Sequence, residues 1–238
     1  MPRSTRPSHA PSHDEQLPLL ILPDQFITGQ QVAGVDEVGR GCLFGPVVAA
    51  AVILPQNVET SLQEVGVTDS KRLSEDQRAE LAIFIQEIAI SCRIGVASVR
   101  EIDRLNILQA SLLAMKRAIA RLDPQPDACL IDGNQKVPGL LIPQQTIVKG
   151  DQRSLAIAAA SIIAKVWRDR LIVRMAKRFP SYDLARNKGY GTAKHRQGLK
   201  QHGLTPYHRR SFSPCQSSQE TDIGDIALDG GTIGKGNA

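Results

Sequence analysis

The 238-residue chain lacks the features that would point to a membrane, a zinc centre or a secreted scaffold. No apolar run approaches the roughly 20 residues that span a bilayer. Leu17 to Leu22 is apolar, but it ends at Pro23 and has no small-residue cleavage site, which argues against a secretory signal. Cysteine is scarce. Cys42, Cys92, Cys129 and Cys215 lie far apart without a C-x-x-C pair, so they are expected to be buried thiols in a reducing compartment, the cytoplasm, not zinc ligands. No internal repeat is present.

What the chain does have is unevenly spread positive charge. Its formal net charge is +5, yet residues 1–29 and 216–238 are acidic on balance. Between Lys149 and Arg210 fifteen Lys and Arg face three acids, Asp151, Asp169 and Asp183. A basic surface of that size suggests a polyanionic partner, with a merely solvated face as the plain alternative. The length suits one domain with tails. A disordered leader is expected over 1–29, a folded domain over 30–215 with a helical extension from about 181, and a disordered acidic tail over 216–238.

Hydrophobic patterning organises the middle. Val32 to Val35 and Pro46 to Leu54 are strand-like runs around turn glycines, which reads as a hairpin. Ser74 to Gln77, Ser98 to Glu101 and Asn106 to Gln109 read as capping boxes that open helices. Cys92, Ile94 and Val96 alternate with Arg93, Gly95 and Ala97, as in a strand with one buried face. Ala128 to Ile131 and Gln145 to Val148 are further strands, and Ser154 to Phe179 is a long helix whose small residues at 156–160 permit close approach to a sheet. Trp167 is expected to be packed, Met115 to be core, and His195 and His202 to lie on the surface. Strands that first meander and then alternate with helices predict an α/β fold with a mixed sheet.

Three strand ends carry acids beside glycine turns or a helix start: Asp36 with Glu37, Asp132, and Asp151. A carboxylate at a buried strand end is costly unless a cation or hydrogen-bond donors satisfy it. Four carboxylates without cysteine or a close histidine pair are hard-oxygen chemistry, suited to Mg²⁺ or Mn²⁺. Beside a basic surface, such a cluster fits metal-assisted phosphodiester hydrolysis. Adjacent strand residues point to opposite faces, so Asp36 and Glu37 are expected to share a site through a backbone bend helped by Gly39 and Gly41.

At this point a family resemblance emerges. Gly34 to Gly41, Gly45 to Ala51, Asp69-Ser70-Lys71, Ile131 to Asn134, Lys149-Gly150-Asp151, Ala158 to Lys165 and Gly189 to Thr192 resemble, in order, the motifs of bacterial ribonuclease HII, of the type 2 ribonucleases H. The resemblance implies a ribonuclease H-like mixed sheet flanked by helices. It implies that Asp36, Glu37, Asp132 and Asp151 bind two divalent cations, Mn²⁺ or Mg²⁺, and that the chain hydrolyses RNA/DNA hybrids and incises at ribonucleotides in duplex DNA. It further implies that Gly39, Arg40 and Gly41 read the ribose 2′-hydroxyl and that Tyr190 stacks on the next deoxynucleotide sugar. Lys71, Lys149, Arg153, Lys165, Lys188 and Lys194 are candidate phosphate contacts. A cytoplasmic monomer is expected. A related nuclease, such as a resolvase or an exonuclease, and a non-catalytic nucleic-acid-binding module are the competing readings.

Overall fold

A computed structural model describes residues 31–55, 58 and 73–216. The Asp69-Ser70-Lys71 motif, the expected leader before residue 31 and all of the expected tail but Gln216 lie outside the described residues. Strand β1 (Val32–Val38) pairs antiparallel with β2 (Val47–Ile53), as the hairpin reading predicts. Helix α1 (Glu75–Ile88) starts from a Ser74 capping box and leads to β3 (Ser91–Ala97) on the outer side of β2. Helices α2 (Val99–Leu105) and α3 (Ile107–Ile119) follow, with a full capping box at Ser98 and Asn106 accepting from the Gln109 amide. Then β4 (Ala128–Asp132) and β5 (Gln144–Ile147) add in parallel beside β1. The sheet is mixed, in the order β3-β2-β1-β4-β5.

Helix α4 (Leu155–Ala176) crosses one face of the sheet and α3 the other. Residues of β2 are therefore buried on both faces, and the strand reads Val-Val-Ala-Ala-Ala-Val-Ile without alternation. Contact between α4 and the sheet is intimate, because a Cβ on Gly34 would lie 2.1 Å from the Ala156 carbonyl carbon. The run of alanines at 158–160 is wholly buried there, as expected from its small side chains. Beyond α4 the chain includes the short helices α5 (Leu184–Asn187) and α6 (Ala193–His202), the latter ending at Gly203. They pack with Leu43, Phe44 and Ile172 into a satellite core. Among the described residues no helix is long and apolar enough to cross a membrane.

Three expectations fail in instructive ways. Strand β3 is covered on both faces, and its most buried residues are the small ones, Ser91, Gly95 and Ala97, with Gly95 tight against α3 at Ala114. Trp167 is exposed on α4, over a groove it shares with Cys92, Ile94, Arg170 and Arg174. His195 is fully buried, because α6 presents it inward to the satellite core rather than outward with its basic neighbours.

Candidate active site

Parallel pairing sets the acids side by side. Val35 is in register with Ile131 across β1 and β4, so Asp36 and Asp132 are the next residues at adjoining strand ends. Strand β5 ends in the same direction beside β4, and the chain then turns through Lys149 into a short 3-10 helix holding Asp151. The Gly150 amide donates to Asp132 Oδ1 at 2.7 Å, which fixes the start of this turn against the β4 acid. Asp36 and Asp151 are buried and Asp132 is half-buried.

Electrostatics link the first three acids. Burial, then repulsion from Glu37 and Asp132, holds the Asp36 carboxyl well above the usual carboxylate range, against hydrogen bonds from Ser161 and the Glu37 amide. The amide contact is 2.7 Å. Burial also raises Glu37, opposed by Arg40, whose Nη1 lies 3.1 Å from Oε1, and reinforced by Asp132. The expected bend between Asp36 and Glu37 is absent. Strand β1 pairs regularly through Val38, and the positive φ of 90° comes only at Gly39. The two acids repel each other along a strand that stays regular.

Ser161 is a partner that sequence reasoning passes over. It sits buried among alanines on α4 and donates to Asp36 from above the sheet. A lone hydroxyl in an alanine-rich, sheet-facing stretch is the signal that marks it.

On the substrate side, the two glycines of the turn differ. Gly39 is buried with positive φ, and a Cβ there would meet Arg168 Nε at 2.2 Å. Gly41 is exposed, without positive φ, and a Cβ would meet nothing within 4 Å. The fold therefore needs glycine at 39 but not at 41. Tyr190 is 41% exposed, and its segment is stitched to this turn by the Cys42–Tyr190 bridge and by the Leu43 amide donating to Gly189 at 2.9 Å. Lys149 is exposed in the left-handed region next to Asp151, and Lys194 is exposed on α6. Two other expected phosphate contacts are engaged within the protein. Lys165 pairs with Asp169 at 2.9 Å, and Lys188 pairs with Glu75 at 3.3 Å. Arg168 and Arg209, counted toward the basic surface, are fully buried.

A histidine relay underlies Tyr190. The Thr205 amide donates to His208 Nδ1 at 2.9 Å, which leaves the His208 proton on Nε2. That nitrogen is 3.1 Å from His195 Nε2, and His195 Nδ1 is 2.9 Å from the Tyr190 carbonyl. Both rings are therefore neutral, each donating toward Tyr190. Burial agrees, lowering His195 and taking His208 down to about 3.

Among the described residues no group of three or more His, Cys, Asp or Glu side chains is arranged to hold a metal ion. The donor chemistry nonetheless fits a hard divalent cation. The carboxyl groups of Asp36, Glu37 and Asp132 repel one another where burial desolvates them, the condition that a cation relieves.

Comparison with known proteins gives the family and the fold. Residues 33–215 match the family described as Ribonuclease HII. A ribonuclease HII from Trichodesmium erythraeum is 66% identical over 186 residues, covering 78% of this chain and 88% of that protein. The crystal structure of ribonuclease H2 from Pyrococcus horikoshii has a TM-score of 0.70 at 27% identity, covering 82% of this chain and 100% of that one. Bst-RNase HIII, solved in complex with Mn²⁺, shares the fold with a TM-score of 0.63 at 19% identity, covering 81% and 70% of the two chains.

Proposed function

Since this chain belongs to the ribonuclease HII family, we propose that it hydrolyses the RNA strand of RNA/DNA hybrids and incises at single ribonucleotides embedded in duplex DNA, leaving 5′-phosphate and 3′-hydroxyl ends. The chain is a ribonuclease H, a phosphodiester hydrolase. The observation that carries the finer reading is the meeting of the mutually repelling carboxylates Asp36, Glu37 and Asp132 at two adjoining strands, with Asp151 on the turn after the third, beside an exposed glycine turn and an exposed tyrosine.

Asp36, Glu37, Asp132 and Asp151 would hold two divalent cations, Mn²⁺ or Mg²⁺, which supply neutralisation of the developing phosphorane charge and a more acidic attacking water. Asp36 lies between Glu37 on its own strand and Asp132 on the next, and would hold the cations together with them. Ser161 and the Glu37 amide keep its carboxylate oriented. Arg40 holds Glu37 from the solvent side. The turn at Gly39, Arg40 and Gly41 lets backbone groups approach a ribose 2′-hydroxyl, which both donates and accepts. Tyr190 offers its exposed ring to the following sugar, and Lys149, Arg153 and Lys194 position the phosphates without reading sequence.

Incubating the protein with a DNA duplex bearing one ribonucleotide, a uniform RNA/DNA hybrid and an all-DNA duplex, each with Mn²⁺, Mg²⁺ or EDTA, tests this reading. Cleavage of the first two in either metal, with none of the third and none in EDTA, is the expected pattern. Cleavage of the hybrid but not of the single ribonucleotide would remove the junction-reading part.

A further inference from the structure

Two guanidinium groups, Arg168 from α4 and Arg209 from the C-terminal segment, lie fully buried beneath the loop of residues 39–46. Each spends its donors on backbone carbonyls. Arg209 donates to Gly39 at 2.6 Å, Arg40 at 2.7 Å and Gly45 at 3.0 Å. Arg168 donates to Phe44 at 3.0 Å, Pro46 at 3.1 Å and Lys188 at 2.8 Å.

In a trans peptide the carbonyl of one residue and the amide N–H of the next point in opposite directions. Drawing the Gly39 and Arg40 carbonyls inward onto Arg209 therefore turns the Arg40 and Gly41 amides outward, and both residues are exposed. Arg168 acts at a second joint. It bonds the turn loop through Phe44 and Pro46 and the tyrosine segment through Lys188, two residues before Tyr190. Gly39 packs against its Nε, and a Cβ on Gly189 would stand 3.4 Å from its Nη2, so the guanidinium is wedged between the two loops.

We propose that Arg168 and Arg209 are positioning residues for substrate selection: Arg209 aims the Arg40 and Gly41 amides at the ribose 2′-hydroxyl, and Arg168 sets the distance between that turn and Tyr190. This rests on the reading of the turn and of Tyr190 given above. The planar fork matters, since lysine is a point charge on a flexible stem and cannot hold two carbonyls in one plane.

The test compares wild type, Arg168→Lys, Arg209→Lys and Ile119→Val, a core change on the far helix α3, at equal folded concentration. Substrates are a duplex with one ribonucleotide and the same duplex all in DNA. Arg209→Lys is expected to lower kcat on the ribonucleotide by about 10²-fold, the scale of a small misplacement at a reacting centre, with KM little changed because phosphate contacts still hold the duplex. Ribose-over-deoxyribose discrimination should fall in both arginine variants and stay intact in Ile119→Val. Unchanged discrimination in both arginine variants overturns the inference while leaving the function standing; a wild type that ignores ribonucleotides overturns the function and this inference with it. Should the lysine variants not fold, amide hydrogen exchange on the wild type decides. The Arg40 and Gly41 amides should exchange openly in the free protein and slow on the ribonucleotide duplex in EDTA, but not on the all-DNA duplex. Protection in the free protein, or equal protection by both duplexes, overturns the inference.

Discussion

Two buried clusters of like charge lie close together in this molecule and are handled in opposite ways. Beneath the loop of residues 39–46, Arg168 and Arg209 are fully enclosed, yet six carbonyl oxygens accept from them, and Arg209, lowered to about 10 by burial, stays charged at neutral pH. At the strand ends, Asp36 and Glu37 are also buried, but the donors that reach them do not outweigh desolvation and repulsion, and both carboxyls are raised. The positive cluster is satisfied by the fold itself. The negative one is left tense, and tension of that sign is what a cation relieves. Charge with its partners built in is architecture, whereas charge short of them marks a candidate binding site.

The largest effect comes from breaking the tense cluster. Asp36→Asn is expected to cost about 10²- to 10³-fold in turnover at saturating metal, the scale of removing a key electrostatic stabiliser from an active site. Its metal-free melting temperature should equal or exceed that of the wild type, because a carboxyl whose value is raised by folding costs stability when ionised. Mn²⁺ should raise the melting temperature of the wild type and do so much less for the variant. Near-wild-type turnover would show that the tense cluster is not the engine.

Breaking the satisfied cluster should do the reverse. Arg168→Met strands the buried Phe44 carbonyl and the part-buried Pro46 carbonyl and leaves the Lys188 carbonyl with the Cys42 thiol alone, and at about 1 to 3 kcal/mol for each unpaired group the expected loss of stability is about 2 kcal/mol or more. Urea unfolding measures it. A loss below about 1 kcal/mol, the ordinary effect of a point substitution, would mean that water replaces the guanidinium. The same contrast recurs within the turn on a smaller scale. Gly39→Ala should destabilise, since the Cβ would run into Arg168 at positive φ, whereas Gly41→Ala should leave melting unchanged and lower only ribonucleotide cleavage. Equal cleavage by wild type and Gly41→Ala at equal folded concentration would remove Gly41 from the reading surface.

The same contrast marks how far the sequence could be read. Asp36, Glu37, Asp132 and Asp151 were legible because acids at the ends of apolar strands break the hydrophobic pattern, and the hairpin, the caps at Ser74 and Ser98 and the small face of α4 follow local rules. Arg168, Arg209 and His195 were not. Each stands in a basic stretch and reads as surface, and what buries it is a set of carbonyls or a second histidine brought from far along the chain. A side chain whose partners are backbone atoms leaves no complementary residue in the sequence to find. Trp167 errs in the other direction, since a large apolar residue on a long helix reads as packed and instead lines an open groove.

The smallest effect discriminates by sign. His208 keeps its ring neutral down to about 3 in the fold against an ordinary 6.5, so between those values the unfolded chain binds more protons. Its contribution to stability is full above about 6.5 and is lost as pH falls toward 3. Asp36 works the other way: its raised carboxyl favours the fold while protonated and loses that contribution as pH rises through its folded value. A wild-type stability curve mixes the two, but His208→Gln retains a side-chain donor toward His195 and removes the titration. Subtracting its urea stability from that of the wild type, point by point from pH 7 down to about pH 4, should leave a difference that moves against the wild type on acidification. His195, the ring in contact, is lowered as well and persists in both proteins together with Asp36, so the variant's own slope mixes those groups and only the difference reports on His208. A flat difference would mean that His208 titrates at its ordinary value and that Thr205, His208 and His195 do not hold Tyr190 through neutral rings.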